Sequence, residues 1–210
     1  MSILTNRFVV RVLFRPHIHW ACGSRENFVW PERTAILANH SGYLDISMVV
    51  GLFPSNRFYT FLAKQELWDN FIGRMYFTSN SCVSVNRDAL EKNSIKSIKT
   101  IFKESGWVMG LFPEGTRGEG EELLPMKGGA AYITTSNQLD VVPMAIYRIN
   151  HKIQVVIGET RPYEKNRSKD QQNAMIEQVM HECFDEAKRR FYERWPNESP
   201  SNRKRKKKKG

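Results

Sequence analysis

The chain is poor in cysteine and has no long apolar run, and each shortage excludes something. Its 210 residues hold three cysteines, Cys22, Cys82 and Cys183. They are far apart and odd in number, with no Cys-x-x-Cys pair. That pattern fits neither a disulfide framework nor the ligand spacing of a structural zinc site. They read as reduced thiols in a cytosolic compartment, packed in the interior. No uninterrupted apolar stretch approaches the roughly 20 residues that cross a bilayer. The start does not read as a secretory signal, because the apolar run 8–14 is broken by Arg11 and closed by Pro16. A Gly-x-Ser-x-Gly elbow is also missing, which disfavours a serine esterase. His17 and His19 form a His-x-His pair without further ligands, and His151 and His181 stand in no motif, so no metal is expected.

What is present describes a folded chain of one domain: 40% hydrophobic residues and 11% aromatics. The formal net charge is +10. Most of that excess sits in residues 203–209, Arg-Lys-Arg-Lys-Lys-Lys-Lys, so the body is only mildly basic. A run of this kind repels itself and is disordered alone. It can be a solvated end, a contact for an anionic membrane surface, or a nucleic-acid contact. Only charge supports the last, since no recognition motif accompanies it, and no specific nucleic acid is expected. Arg7, Arg11 and Arg15 recur every fourth residue and predict a basic stripe on an amphipathic first helix. Such a helix either lies on a membrane or packs on the domain.

Short runs rich in β-branched and aromatic residues predict strands at 34–38, 58–63, 82–85, 108–112, 141–147 and 153–157. Pro143 inside one of them predicts an edge, a bulge or a strand end. Helical periodicity covers 87–105, which Gly106 stops. A long segment near the end carries Ile176, Met180, Cys183, Phe184, Ala187 and Phe191 on one face. Ser168 and Gln171 offer that segment a capping box. Strands alternating with helices predict an α/β fold, a single domain with a mixed, largely parallel sheet flanked by helices.

Two runs carry chemistry. In Asn39-His40-Ser41-Gly42-Tyr43-Leu44-Asp45 an imidazole precedes a carboxylate by five residues, a pairing suited to a general base and the group that orients it. On a regular helix the two side chains would point about 140° apart. A turn at Ser41-Gly42 is therefore expected, with His40 at a strand end and Asp45 in the first turn of the next helix, where the positive helix end favours an anion. In Phe112-Pro113-Glu114-Gly115-Thr116-Arg117 a buried strand ends at a proline. A glycine free to approach closely and a guanidinium fork suited to phosphate then follow. Lys127 precedes Gly128-Gly129 at a predicted helix start, and Arg87 follows the 82–85 strand. Together they place cations where an anion would bind.

These residues resemble the PlsC-type glycerolipid acyltransferases, of which the lysophosphatidic acid (1-acyl-sn-glycerol-3-phosphate) acyltransferases are the best-known members. Residues 39–45 match that family's His-x4-Asp block, Val85-Asn86-Arg87 its phosphate-binding arginine block, and residues 112–117 its acceptor block residue for residue. Val142-Pro143-Met144 resembles the fourth block. Ala63-Lys64-Gln65-Glu66-Leu67 and Met126-Lys127-Gly128-Gly129-Ala130 fall where similar segments stand, so the likeness runs in order from about 30 to 160. It implies acyl transfer from an acyl-CoA or acyl-ACP thioester to the hydroxyl of a lysophosphatidic-acid-like acceptor, giving phosphatidic acid. It further implies His40 as base, Asp45 as its support, Glu114, Gly115 and Thr116 around the acceptor, and Arg87, Arg117 and Lys127 on its phosphate. No bound cofactor is expected.

The resemblance divides the chain into an N-terminal amphipathic segment (1–29), an acyltransferase domain (30–195) and a basic tail (196–210). It implies a peripheral place on the cytoplasmic side of a membrane, because the region before His40 is shorter than the hydrophobic anchor of many relatives. Tyr43, Trp68, Phe71, Met75 and Tyr76 are either an acyl groove or ordinary core. Residues 82–87 are more polar than the family's usual block. Other acceptors (glycerol 3-phosphate, a lysophospholipid or a lyso-aminolipid) therefore stay open, as does a non-catalytic lipid- or nucleic-acid-binding module.

Overall fold

The computed structural model describes residues 6, 8, 10–42, 45–52, 57–79, 81–85, 98–102 and 106–200. Arg87 and the basic run 203–209 lie outside the described residues, as do Arg7, Tyr43 and most of the 87–105 helix. Of that helix, residues 98–101 are described and helical.

Among the described residues seven strands form one sheet. In chain order the elements are β1 (His17–Trp20), β2 (Thr34–Ala38), α1 (Asp45–Leu52), β3 (Phe58–Lys64), α2 (Phe71–Ser79), β4 (Cys82–Val85), β5 (Trp107–Leu111), α3 (Gly129–Ser136), β6 (Asp140–Ile149), β7 (Lys152–Ile157) and α4 (Lys169–Arg194). The spatial order is β1-β7-β6-β2-β5-β3-β4. From β6 to β4 all neighbours are parallel; β7 is antiparallel to β6, and β1 runs parallel to β7. This is the mixed, largely parallel sheet that the alternating pattern predicts. The six predicted strands form within one to two residues of their expected ends. Strand β1 has no forerunner in the pattern: four residues, two of them histidines, pair with β7 at the sheet's edge.

The central strands read as continuous apolar runs because water reaches neither face. Ile36, Ala38, Val108, Val142 and Met144 pack into one layer with α1, while Ala35, Leu37, Met109, Leu111 and Val141 pack into the other with α3 and α4. The period-two alternation of a strand assigns successive residues to opposite layers. The predicted face of α4 is the buried one, with Ile176, Met180, Cys183, Phe184, Ala187 and Phe191 inside. Ser168 and Gln171 form the capping box reciprocally.

Two local expectations change. Pro143 lies in a central strand, not at an edge, paired in register with Leu37 of β2. Its carbonyl accepts from Gly158 N at 2.9 Å, and the reciprocal bond is the one a proline cannot make, so the β6–β7 ladder stops there. The arginine stripe is interrupted as well. The helical turn at the start spans Val10–Phe14, and Arg15 lies beyond it with φ of 42°.

Candidate active site

Strands β2, β3, β4 and β5 are parallel, so their C-terminal ends lie along one edge, where open α/β sheets bind ligands. Chain leaving β2 carries His40, and chain leaving β5 carries residues 112–117.

Asn39 fixes the departure from β2. It is buried, its amide donates to Ile146 O at 2.9 Å, and its carbonyl accepts from Ile146 N at 2.7 Å. The side chain thereby replaces a rung of the β2–β6 ladder where the β2 backbone turns away. His40 follows, and α1 begins at Asp45, as the turn argument requires. One carboxylate oxygen, Asp45 Oδ2, accepts from Ser41 N at 2.6 Å and from Gly42 N at 2.7 Å, and lies 2.9 Å from His40 Nδ1. Asp45 is 3% exposed. A carboxylate can only accept, so Nδ1 carries the hydrogen and Nε2 is left as the basic nitrogen.

The imidazole is held from the side and from behind. Its ring stacks on Phe112, with centroids 4.2 Å apart and planes 19° from parallel. Phe112 in turn lies 6.1 Å from the buried Phe61. The His40 N–H donates to Glu114 Oε1 at 2.8 Å, and His40 O accepts from Gly118 N at 2.8 Å.

Glu114 differs from the expectation that it walls the acceptor pocket. It is 2% exposed, and its second oxygen accepts from Leu124 N at 3.0 Å. Both oxygens are thus occupied by backbone of the two loops they join. Burial pushes its carboxyl above the usual glutamate range, against the pull of those two N–H groups. Next to it Gly115 has φ of 64°, a backbone bend that favours glycine, and a Cβ there would push on the Lys127 side chain, 2.9 Å from its Cδ.

His40, Gly115, Thr116, Arg117 and Lys127 line one cavity of about 420 Å³. Thr116, Arg117 and Lys127 are exposed at its rim. Val85, the last residue before the segment containing Arg87, lines it too. An apolar part of the wall comes from Leu62, Leu67, Phe77, Leu111 and Ile133. None of the described candidates for an acyl groove contributes: Phe71 and Met75 point to solvent, Tyr76 packs on the core, and Trp68 lies against Phe77 with its ring tilted. The arrangement joins an oriented base and cations at a strand-end rim to an apolar chamber.

Sequence reasoning missed the supports of this site: Asn39 as a strand surrogate, Phe112 as the platform for the imidazole, and Arg148, which donates to Ser41 O at 3.3 Å. An asparagine closing an otherwise apolar strand was the available signal, since a buried amide there needs backbone partners.

Comparison with known proteins gives consistent results. A family model described as Acyltransferase matches residues 21–147. A 1-acyl-sn-glycerol-3-phosphate acyltransferase of Helicobacter pylori is 35% identical over 116 residues, 53% of this chain and 47% of that protein. Proteins of the same name from Salmonella typhimurium and Cocos nucifera are each 28% identical, over 118 and 115 residues, covering 56% and 54% of this chain and 48% and 37% of theirs. The chain spans about half the length, or less, of these relatives. The crystal structure of the 1-acyl-sn-glycerophosphate acyltransferase PlsC from Thermotoga maritima superposes with a TM-score of 0.64 at 19% identity, covering 94% of this chain and 81% of that one, which shows a shared fold. With the family model spanning most of the sheet and both chemical runs, this chain belongs to the Acyltransferase family.

Proposed function

We infer that the protein transfers an acyl group from a thioester to the free hydroxyl of a 1-acylglycerol-3-phosphate-like acceptor, giving a phosphatidic acid. One observation carries the reading. The imidazole whose Nδ1 lies on Asp45 lines the same cavity as Arg117 and Lys127. The names of the relatives support this choice of acceptor.

In this reading Arg117, Lys127 and Arg87 hold the acceptor phosphate, the guanidinium groups by paired hydrogen bonds. Residues 115–117 shape the acceptor's seat, and Glu114 positions His40 and the 118–124 loop from beneath. His40 Nε2 removes the hydroxyl proton as the oxygen attacks the thioester carbonyl. The imidazolium that forms faces Asp45. The tetrahedral intermediate then expels the thiolate, which takes the proton back from His40 as the C–S bond breaks. No acyl-enzyme forms, and Ser41 is not a nucleophile. The apolar wall of Leu62, Leu67, Leu111 and Ile133 suits an acyl chain. The donor is an acyl-CoA or an acyl-ACP thioester.

No helix among the described residues is long and apolar enough to cross a membrane. A lipid acceptor is then met at a membrane surface, to which the segment 1–29 and the basic tail can contribute while residues 30–195 carry the chemistry.

The test incubates purified protein with lysophosphatidate, glycerol 3-phosphate, a lysophospholipid and a lyso-aminolipid. Each is paired with acyl-CoA and with acyl-ACP, and the acylated product is weighed by mass spectrometry. Transfer to lysophosphatidate above all others is expected, with His40→Ala losing about 10²–10⁴-fold in kcat while folding normally. No transfer to any phosphate-bearing acceptor would overturn the roles of Arg87, Arg117 and Lys127, and near-normal turnover by His40→Ala would remove it from the mechanism.

A further inference from the structure

Helix α2 is mounted with an apolar side facing water. Phe71, Ile72 and Met75 are 76%, 78% and 64% exposed. They fall within roughly 100° of helical arc. The exposed Arg74 lies beside them, and the helix sequence, FIGRMYFTS, has no acidic residue.

Packing fixes this orientation. On the inward side Tyr76 and Phe77 pack against the core, the Tyr76 hydroxyl lies 3.3 Å from Ser47 Oγ, and Phe77 lines the cavity. Gly73, between them, lies so close to the preceding turn Gln65–Trp68 that a Cβ would come within 2.1 Å of Leu67 O. Rotating the helix to hide its apolar side would drive Gly73 and Phe77 off these contacts.

Its place in the fold matters as much. Helix α2 connects the parallel strands β3 and β4, so its first turn lies at the end of the sheet where β3 delivers Lys64 to the cavity. Leu67, just before α2, and Phe77, near its end, both line that cavity. The exposed patch and the apolar chamber therefore share one short segment.

We propose that the Phe71, Ile72 and Met75 side of α2 docks on an anionic lipid bilayer and sets the cavity beside the membrane surface. This rests on the reading of the acceptor as a lipid, whose chain would pass from bilayer to cavity along α2 without crossing water. A contiguous apolar patch of large side chains is a surface that monomeric proteins keep for a partner. Arg74, with no carboxylate on its helix, complements an acidic headgroup layer.

The test sediments the full chain with vesicles of phosphatidylcholine containing phosphatidylglycerol. It is done in 0.5 M salt, so that purely electrostatic attachment by the basic run is screened. Wild type is compared with Phe71→Ser/Ile72→Ser/Met75→Ser and with the single variant Ile72→Glu, which keeps the test open should the triple variant not fold. The vesicle partition coefficient is expected to fall about tenfold or more in the triple variant. Turnover on a short-chain acceptor dissolved as monomers should stay at the wild-type level. Wild type that does not sediment, or variants that sediment as wild type does, would overturn the proposal. So would a wild-type dimer that the variants dissociate while vesicle binding is unchanged, because a second copy would then cover the patch. Loss of vesicle binding in the variants, in a protein that acylates no acceptor, would sink the proposed activity and leave the docking surface standing.

Discussion

Replacing Asp45 separates its two tasks, holding a turn and supporting a base. Its Oδ2 accepts from Ser41 N at 2.6 Å, from Gly42 N at 2.7 Å and from the His40 ring at 2.9 Å. Asp45→Ala leaves two partly buried backbone N–H groups without their acceptor. Hydrogen bonds to a charged group contribute about 1.5–3 kcal/mol each, so the two backbone bonds together amount to roughly 3–6 kcal/mol. That is a large share of the 5–15 kcal/mol typical of a folded domain, and at about 2–4 °C per kcal/mol it lowers Tm by roughly 6–24 °C. Asp45→Asn keeps an oxygen in the same place. Its two backbone bonds survive at about half strength, and the cost is roughly 1.5–3 kcal/mol. Yet the Asn variant no longer sets a carboxylate against the imidazolium, and turnover is expected to fall about 10²–10⁴-fold. Urea unfolding followed by tryptophan fluorescence reads the first quantity, and thiol release from acyl-CoA reads the second. The reasoning fails if the Ala variant is as stable as the Asn variant, or if Asp45→Asn keeps turnover within a few-fold of wild type.

Other substitutions probe the frame around the base. Glu114→Gln sets an NH2 group against the N–H of Leu124 or of His40 and should cost about 1–3 kcal/mol in urea unfolding. Burial raises the Glu114 carboxyl above its unfolded value of 4.5, so the folded state holds a proton that the unfolded state has lost. The contribution of Glu114 is therefore full below that value and falls as pH rises through the raised one. The deficit of the Gln variant should accordingly shrink from pH 4 to pH 7, and a deficit that grows would contradict this. Gly110→Ala would put a methyl group 1.9 Å from a carbon of the Phe61 ring, beneath the Phe61–Phe112–His40 column. A loss of about 1–3 kcal/mol is expected, with reduced turnover, and an unchanged Tm would show that the ring has room to move. Burial pushes the thiols of Cys82 and Cys183 up to about 12, while Cys22 is exposed. Maleimide at pH 7.5 should label one thiol per native chain quickly, and fast labelling of all three would refute the packing of the other two.

A periodic pattern reaches only as far as the helix that carries it, as the first segment shows. Arginines at every fourth position define a stripe only if the helix continues, and here the helical turn ends at Phe14 before the third of them. Strand β1 was illegible for a related reason: the alternation His17-Ile18-His19-Trp20 is only four residues long, too short to mark a strand, and only the open edge of β7 makes it one. Pro143 reads as an edge, a bulge or a strand end because it lacks a donor; it sits inside a central strand, and its place at the end of the β6–β7 ladder leaves that donor unneeded.

The sequence by itself determined the α/β layering, since apolar runs between helical periods can be buried only as a sheet covered on both faces. It also determined the two chemical runs, because residue types and the order of the blocks are local properties. The geometry of helix and turn was enough to require a bend between His40 and Asp45. Only the tertiary structure decided which groups face the substrate and which face the backbone. Glu114 lies within its motif as Arg117 does, yet one braces two loops from beneath while the other stands at the cavity rim. The same holds for Phe71 and Met75 of α2, which as a pattern look like core or groove. Their exposure follows from how Gly73 and Phe77 seat the helix against the preceding turn and the cavity, a long-range constraint that no local spacing contains.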